Sequence, residues 1–173
     1  PPPARNFGDH AISVGTFSKP FGLPGLRIGW IAGPEETVAR CWALRDYITL
    51  SPGKLNDALA LLALRHREAV VARTRRIVEA NLATADGWFA EHADLATWTR
   101  PKAGLLALLR YAAEIPSAAL ADKLAAEQSV MLAPGSAFGF EGYLRIGVGQ
   151  DPAIFAEGLR RTADCLRELR PRG

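Results

Sequence analysis

Residues 16–29 read TFSKPFGLPGLRIG, and short apolar runs at 11–15 and 26–32 flank the centre of this stretch. Each run has the length and composition of a buried strand. The segment between them is rich in Pro and Gly, which favour tight turns and close approach of the backbone to a ligand. The sequence therefore predicts two strands joined by an irregular loop.

Polar side chains cluster around this loop. Lys19 lies just past the first strand, where functional side chains of α/β folds gather. The hydroxyls of Thr16 and Ser18 precede it, and Arg27 follows eight residues after it. Hydroxyls and a forked guanidinium suit a phosphate group. A lysine beside such a site can form a Schiff base with an aldehyde whose phosphate is held there.

The rest of the chain alternates between helical and strand-like patterns. Helices are predicted over about 34–47, 55–92 with a bend near residue 65, 117–128, and 152–169 with Asp151 as N-cap. Strands are predicted over 95–99, 104–111, 130–132 and 143–148. Residues after about 70 are therefore expected to form a small sheet covered by helices.

Composition limits the classes of function. Apolar residues make up 49% and charged residues 23%, which is typical of a folded globular protein rather than a disordered one. No apolar run reaches the roughly 18 residues of a membrane span. The histidines and cysteines lack metal-ligand spacing, so no metal site is expected. The net charge is only +3, and the densest arginine cluster, at residues 65–76, fits a solvated helical face better than a nucleic-acid site.

The first residues are unusual for a natural N-terminus. Pro1, Pro2 and Pro3 open the chain without a methionine, close to the first strand-like run. No apolar segment typical of a secretion signal follows them. We interpret this start as a cut edge, with the preceding part of a longer protein missing.

The loop motif resembles a known family. Thr16, Ser18, Lys19, Gly25, Arg27 and Gly29 match, at the family's spacing, the lysine segment of class I/II aminotransferases, which are pyridoxal-phosphate enzymes of fold type I. Downstream, residues 134–139 resemble the family's Pro-Gly-x-x-Phe-Gly loop, and residues 143–147 its Leu-Arg-Ile motif. Pro101 and Gly104 resemble its Pro-x-Gly motif. Leu106 stands where an aromatic residue is common.

The resemblance implies a role for each matched residue. Lys19 would hold pyridoxal 5'-phosphate as an aldimine, Thr16 or Ser18 and Arg27 would bind its phosphate, and Arg145 would bind the α-carboxylate of the substrate. An amino group would pass between an α-amino acid and a 2-keto acid. The family also implies a cytoplasmic homodimer without nucleic-acid or membrane partners.

The resemblance implies an α/β fold as well. Residues 1–68 would be the end of a large, mixed-sheet cofactor domain, and residues 69–173 a small α+β C-terminal domain. Family members are longer, and their upstream part supplies the aspartate that pairs with the pyridine nitrogen.

Two alternatives to amino transfer stay open. Relatives with the same lysine segment include lyases, decarboxylases and cyclases, because all of them begin by weakening a bond at the substrate α-carbon. The second alternative is a non-catalytic fragment that lacks the N-terminal half of the site.

Overall fold

A computed structural model describes residues 2–169 of the chain. The chain folds as two compact units, Pro1–Thr74 and Arg75–Gly173. The mixed α/β class predicted from the sequence is confirmed, with helices and antiparallel sheets alternating along the chain. No helix within residues 2–169 is both long and apolar enough to cross a membrane.

The first unit contains a two-stranded antiparallel sheet. Strand β1 (Ser13–Thr16) pairs with β2 (Gly29–Ala32), and Thr16 lies opposite Gly29. Both predicted strands are present, but the second begins later than expected because Pro24–Leu26 forms a 3-10 turn and Arg27 adopts a left-handed conformation.

The prediction that these strands are buried is wrong within the described residues. All four residues of β2 are exposed, and Val14 of β1 is 77% exposed. The cause is that this sheet has only two strands within residues 2–169, so packing covers little of either face.

Two helices complete the first unit, and a third begins in it. Helix α1 (Glu35–Arg45) has Glu35 and Glu36 in its first turn, where carboxylates interact favourably with the helix dipole. The predicted break at residues 51–53 precedes α2 (Lys54–Arg65). The predicted bend is also present, because His66 separates α2 from α3 (Arg67–Glu91). The arginines between residues 65 and 76 lie on α2 and α3 with exposed side chains, as predicted.

The second unit is built on a four-stranded antiparallel sheet. Its strands are β3 (Ala96–Trp98), β4 (Leu106–Tyr111), β5 (Ala133–Pro134) and β6 (Tyr143–Gly147), in the order β3-β4-β6-β5. Leu109 pairs with Leu144, and both are fully buried. Side chains alternate between the two faces of a strand, so the neighbours of Leu144 on β6 point away from the core.

Helices α4 (Ser117–Gln128) and α5 (Pro152–Glu168) supply much of the core of the second unit. Leu120 and Leu124 of α4, and Phe155 and Leu159 of α5, belong to one buried cluster with the sheet. The predicted cap is confirmed: the Asp151 carboxylate accepts hydrogen bonds from the backbone N–H groups of the first turn of α5.

One short strand is misplaced in the sequence prediction. Residues 130–132 are not a strand; pairing begins at Ala133. Ser129 ends α4 in a left-handed conformation, and the N–H of Val130 still donates to the carbonyl of Leu124. This bond ties residue 130 to the helix end, and Met131 beside it is 89% exposed.

Candidate functional site

The first unit concentrates its functional groups on the connection between β1 and β2. Thr16 ends β1, Ser18 and Lys19 follow it, and Arg27 lies two residues before β2. The N–H of Phe17 donates to the carbonyl of Ile28 at 3.1 Å, so pairing continues one step beyond the strands. The two ends of the loop are therefore held side by side.

The hydroxyls of Thr16 and Ser18 lie together at the start of the loop. Thr16 Oγ1 is 3.1 Å from Ser18 Oγ and accepts a hydrogen bond from the Ser18 N–H at 3.1 Å. It is also within 3.3 Å of the carbonyl oxygen of Ile28. Because a hydroxyl rotates to suit its partners, either oxygen retains the capacity to donate to an anion.

A buried aromatic residue anchors the loop. Phe17 is only 2% exposed and packs against Ala60 and Ala63 of α2. Its ring centroid lies 4.8 Å from that of Phe21. Asn56 of α2 adds a polar contact, donating from Nδ2 to the carbonyl of Leu26 at 3.0 Å. These contacts hold the loop in place while Lys19 remains exposed.

Two glycines allow β1 and β2 to lie close to each other. A Cβ at Gly15 would lie 2.2 Å from the ring of Trp30, and a Cβ at Gly29 would lie 2.7 Å from the carbonyl oxygen of Gly15. Real Cβ atoms do not tolerate such distances, so any side chain here would displace the hairpin. The sequence motif contains Gly29, whereas Gly15 lies just outside it.

Arg27 has an uncommon backbone conformation. Its φ of 51° and ψ of 35° place a non-glycine residue in the left-handed region. Such conformations cost roughly 1 kcal/mol and persist where the surroundings or function require them. The guanidinium is exposed and donates from Nη1 to the carbonyl of Pro24 at 3.0 Å, which leaves most of its donors free.

These residues make a donor set that fits a phosphorylated aldehyde. The hydroxyls and the guanidinium are hydrogen-bond donors suited to phosphate oxygens, and Arg27 adds a fixed positive charge. Within residues 2–169 the amine of Lys19 has no hydrogen bond or ion pair that would keep it from an aldehyde carbon. No group of three or more metal-ligating side chains occurs in the same described range.

The second unit contains Arg145, on the face of β6 opposite the core. It is half-buried, and its guanidinium carbon lies 4.5 Å from the centroid of the Phe138 ring. It lines a cavity of about 550 Å³ together with Leu106, Arg110 and Tyr143. In the part of the chain that the structure describes, its charge has no carboxylate partner. Such a guanidinium suits a planar carboxylate from solution.

Several residues of this region were missed in the sequence. Period-two alternation along the predicted strand 104–111 could have placed Arg110 on the same face as Leu106 and Leu108. Buried Asn81 donates to the carbonyls of Val148 and Gln150, just after β6. Glu141 accepts bonds from the start of α4. These last two pairings have no local sequence signal.

Known proteins resemble this chain over nearly its whole length. The family model for aminotransferase class I and II matches residues 5–161. Capreomycidine synthase of Streptomyces vinaceus is 36% identical over 160 residues, which cover 91% of this chain and 41% of that protein.

Two solved structures give the same result for the fold. A PLP-dependent aminotransferase from Streptococcus suis has a TM-score of 0.88 at 32% identity, over 94% of this chain and 43% of that one. The PLP-dependent cyclase OrfR has a TM-score of 0.87 at 36% identity, over 96% of this chain and 45% of that one. The chain thus spans less than half the length of each of these relatives.

Proposed function

The chain belongs to the class I and II aminotransferase family, and from that membership we propose that it supplies the cofactor lysine, the phosphate site and the substrate-carboxylate arginine of a larger enzyme. Pyridoxal phosphate is the cofactor that the family implies. The observation that carries this proposal is the grouping of Thr16, Ser18, Lys19 and Arg27 on one anchored hairpin end.

Each residue has a separate task in this proposal. Thr16, Ser18 and Arg27 would bind the phosphate, and the amine of Lys19 would hold the cofactor aldehyde. The same amine would take and return a proton at the substrate α-carbon. The bound cofactor supplies an electron sink for that carbon. Arg145 orients the substrate through its α-carboxylate.

Transfer of an amino group to a 2-keto acid is the first candidate reaction for the complete protein. The likeness to the Streptococcus suis aminotransferase supports it. Cyclisation of an amino acid is the second candidate, favoured by 36% identity both with capreomycidine synthase and with the cyclase OrfR. Both reactions need a proton moved at the α-carbon, so Lys19 serves either one.

Product analysis separates the two candidates. The complete protein, loaded with pyridoxal phosphate, is incubated with each standard L-α-amino acid, with and without 2-oxoglutarate. We expect a new keto acid that forms only when the acceptor is present, in an amount equal to that of the aminated acceptor. A cyclic product formed at the same rate without acceptor would instead establish the second candidate.

The phosphate role of Arg27 makes a second prediction. Arg27→Gly should raise the dissociation constant of pyridoxal phosphate by about 10- to 100-fold, because a charge-assisted, forked contact is lost. Glycine is the suitable replacement, since it adopts the left-handed backbone without strain. Titration of the apoenzyme followed by absorbance measures the effect.

Pyridoxal without its phosphate is the matched control for this experiment. Its affinity should be the same for the Arg27→Gly variant and the unchanged protein. An equal loss for both ligands would show that Arg27 supports the loop rather than the phosphate.

We also propose that the complete protein is a cytoplasmic homodimer. Exposed apolar side chains on and after α1, among them Trp42, Leu44 and Tyr47, suit burial against a second copy. Cys41 and Cys165 are both free thiols, which supports a reducing compartment.

A further inference from the structure

One aromatic ring contacts the guanidinium of Arg145. Its guanidinium carbon lies 4.5 Å from the centroid of Phe138. In the part of the chain that the structure describes, Arg145 makes no side-chain hydrogen bond or ion pair. A guanidinium is attracted to the face of an aromatic ring. The Phe138 ring therefore restrains where the fork of Arg145 points.

Phe138 itself lies on a short loop with little packing of its own. It ends the 3-10 turn Gly135–Phe138 between β5 and β6, and residues 136–141 are all exposed. Gly139 closes the turn in a left-handed conformation, and the Phe140 N–H donates to the carbonyl of Gly135 at 2.9 Å. Hydrogen bonds therefore contribute strongly to the position of this loop.

Glu141 supplies two of the hydrogen bonds that tie the loop to α4. Its carboxylate accepts from the Ser117 N–H at 2.6 Å and from the Ser117 hydroxyl at 3.2 Å. The Ser117 oxygen in turn accepts from the Ser136 N–H at 3.1 Å, within the turn that carries Phe138. Ser117, the first residue of α4, thus binds both sides of the loop: it donates to the Glu141 carboxylate on one side and accepts from the Ser136 N–H on the other.

The local chemistry favours a charged carboxylate here. Pro116 occupies the N-cap of α4 and has no side chain that can cap it, so Glu141 accepts from the buried N–H of Ser117, which has no acceptor within the helix. The backbone N–H groups of Ser117 and Gly142 hold the pKa of Glu141 below its ordinary value of 4.5. Glu141 is therefore ionised near neutral pH, and its bonds to Ser117 are charge-assisted.

We propose that Glu141 is a positioning residue for Arg145: by binding Ser117 it fixes the loop that carries Phe138, and Phe138 holds the guanidinium in the orientation that receives the substrate carboxylate. This inference rests on the proposed carboxylate role of Arg145. Glu141 touches neither substrate nor cofactor in it and acts only through the loop.

Glu141→Gln in the complete, cofactor-loaded protein tests this positioning role. The standard L-α-amino acids are first screened by spectral titration, and the tightest binder is compared with the amine that lacks its carboxylate. We expect the half-saturation concentration of the amino acid to rise about tenfold, since small misplacements of a binding group have effects of this size or larger. The half-saturation concentration of the amine, kcat and the dissociation constant of the cofactor should each stay within about twofold of the values for the unchanged protein.

A matched glutamate separates positioning from general stability. Glu157 on α5 accepts hydrogen bonds from Arg160 and Arg161, and its pKa is lowered to about 2, yet it lies far along the chain from the loop. Glu157→Gln should lower the unfolding temperature without changing the ratio of amino-acid to amine affinity. A crystal structure of Glu141→Gln should show the Phe138 ring displaced from Arg145.

Two results would overturn the inference. One is an unchanged affinity for the amino acid in Glu141→Gln, and the other is an equal loss for amino acid and amine. Failure of the proposed function gives a different pattern, in which Arg145→Lys leaves amino-acid affinity unchanged or no amino acid binds. The position of the Phe138 ring in the variant crystal structure then still tests the structural step.

Discussion

Replacement of Lys19 by alanine should lower kcat/KM of the complete enzyme by roughly four orders of magnitude or more, the upper end of the effect of a general acid–base group. The amine of Lys19 is proposed both to bond to the cofactor and to move the proton at the substrate α-carbon. Alanine removes both tasks at once. The loop should keep its conformation, because Phe17 and Asn56 hold it and the Lys19 side chain is exposed.

Chemical labelling gives this prediction a readout that does not depend on activity. Borohydride treatment of the cofactor-loaded protein should attach the cofactor permanently to Lys19, as located by peptide mapping. The other lysines, Lys54, Lys102 and Lys123, serve as internal controls and should remain unlabelled. Lys19→Ala should abolish the label, whereas Lys123→Ala, which removes a surface ion pair with Glu127, should retain both label and activity. Labelling of Lys19→Ala at unchanged yield would refute the assignment.

Local patterns explain which elements could be predicted from the sequence. Both ends of α4 were predicted correctly, because Pro116 precedes the helix and the apolar spacing stops at Gln128. Asp151 and Pro152 likewise identified the start of α5. The lysine segment was found for the same reason, since the spacing from Thr16 to Gly29 lies within one loop. The chemical roles within it stay predictions.

Long-range contacts explain what the sequence could not reveal. Glu141 binds Ser117, 24 residues away, and Asn81 binds the carbonyl of Val148, 67 residues away. Neither pairing follows from a helical or a strand period, because each depends on how separate elements pack. The exposure of Val14 had the same origin: the apolar run was recognised, but its burial depends on surfaces that residues 2–169 do not supply.

Arg145→Lys should lower kcat/KM for an amino-acid substrate by about 100- to 1,000-fold, with most of the loss in binding. Lysine keeps the positive charge but loses the planar fork that binds a carboxylate at two points. It also loses the contact between the guanidinium and the Phe138 ring. The charge alone therefore cannot restore the orientation of the substrate.

The decarboxylated substrate shows whether this loss arises from carboxylate recognition. An amine without the α-carboxylate has nothing for Arg145 to bind, so the variant and the unchanged enzyme should bind it equally. Arg160→Lys is the matched control, because Arg160 lies on α5 in surface ion pairs that lysine can also form. It should leave kcat/KM within about twofold of the unchanged enzyme.

If Arg145→Lys weakened the binding of the amine and of the amino acid to the same extent, Arg145 would support the shape of the cavity instead. In that case the carboxylate would need another cation, and Arg110, which lines the same cavity from β4, is the nearest candidate by position in the sheet.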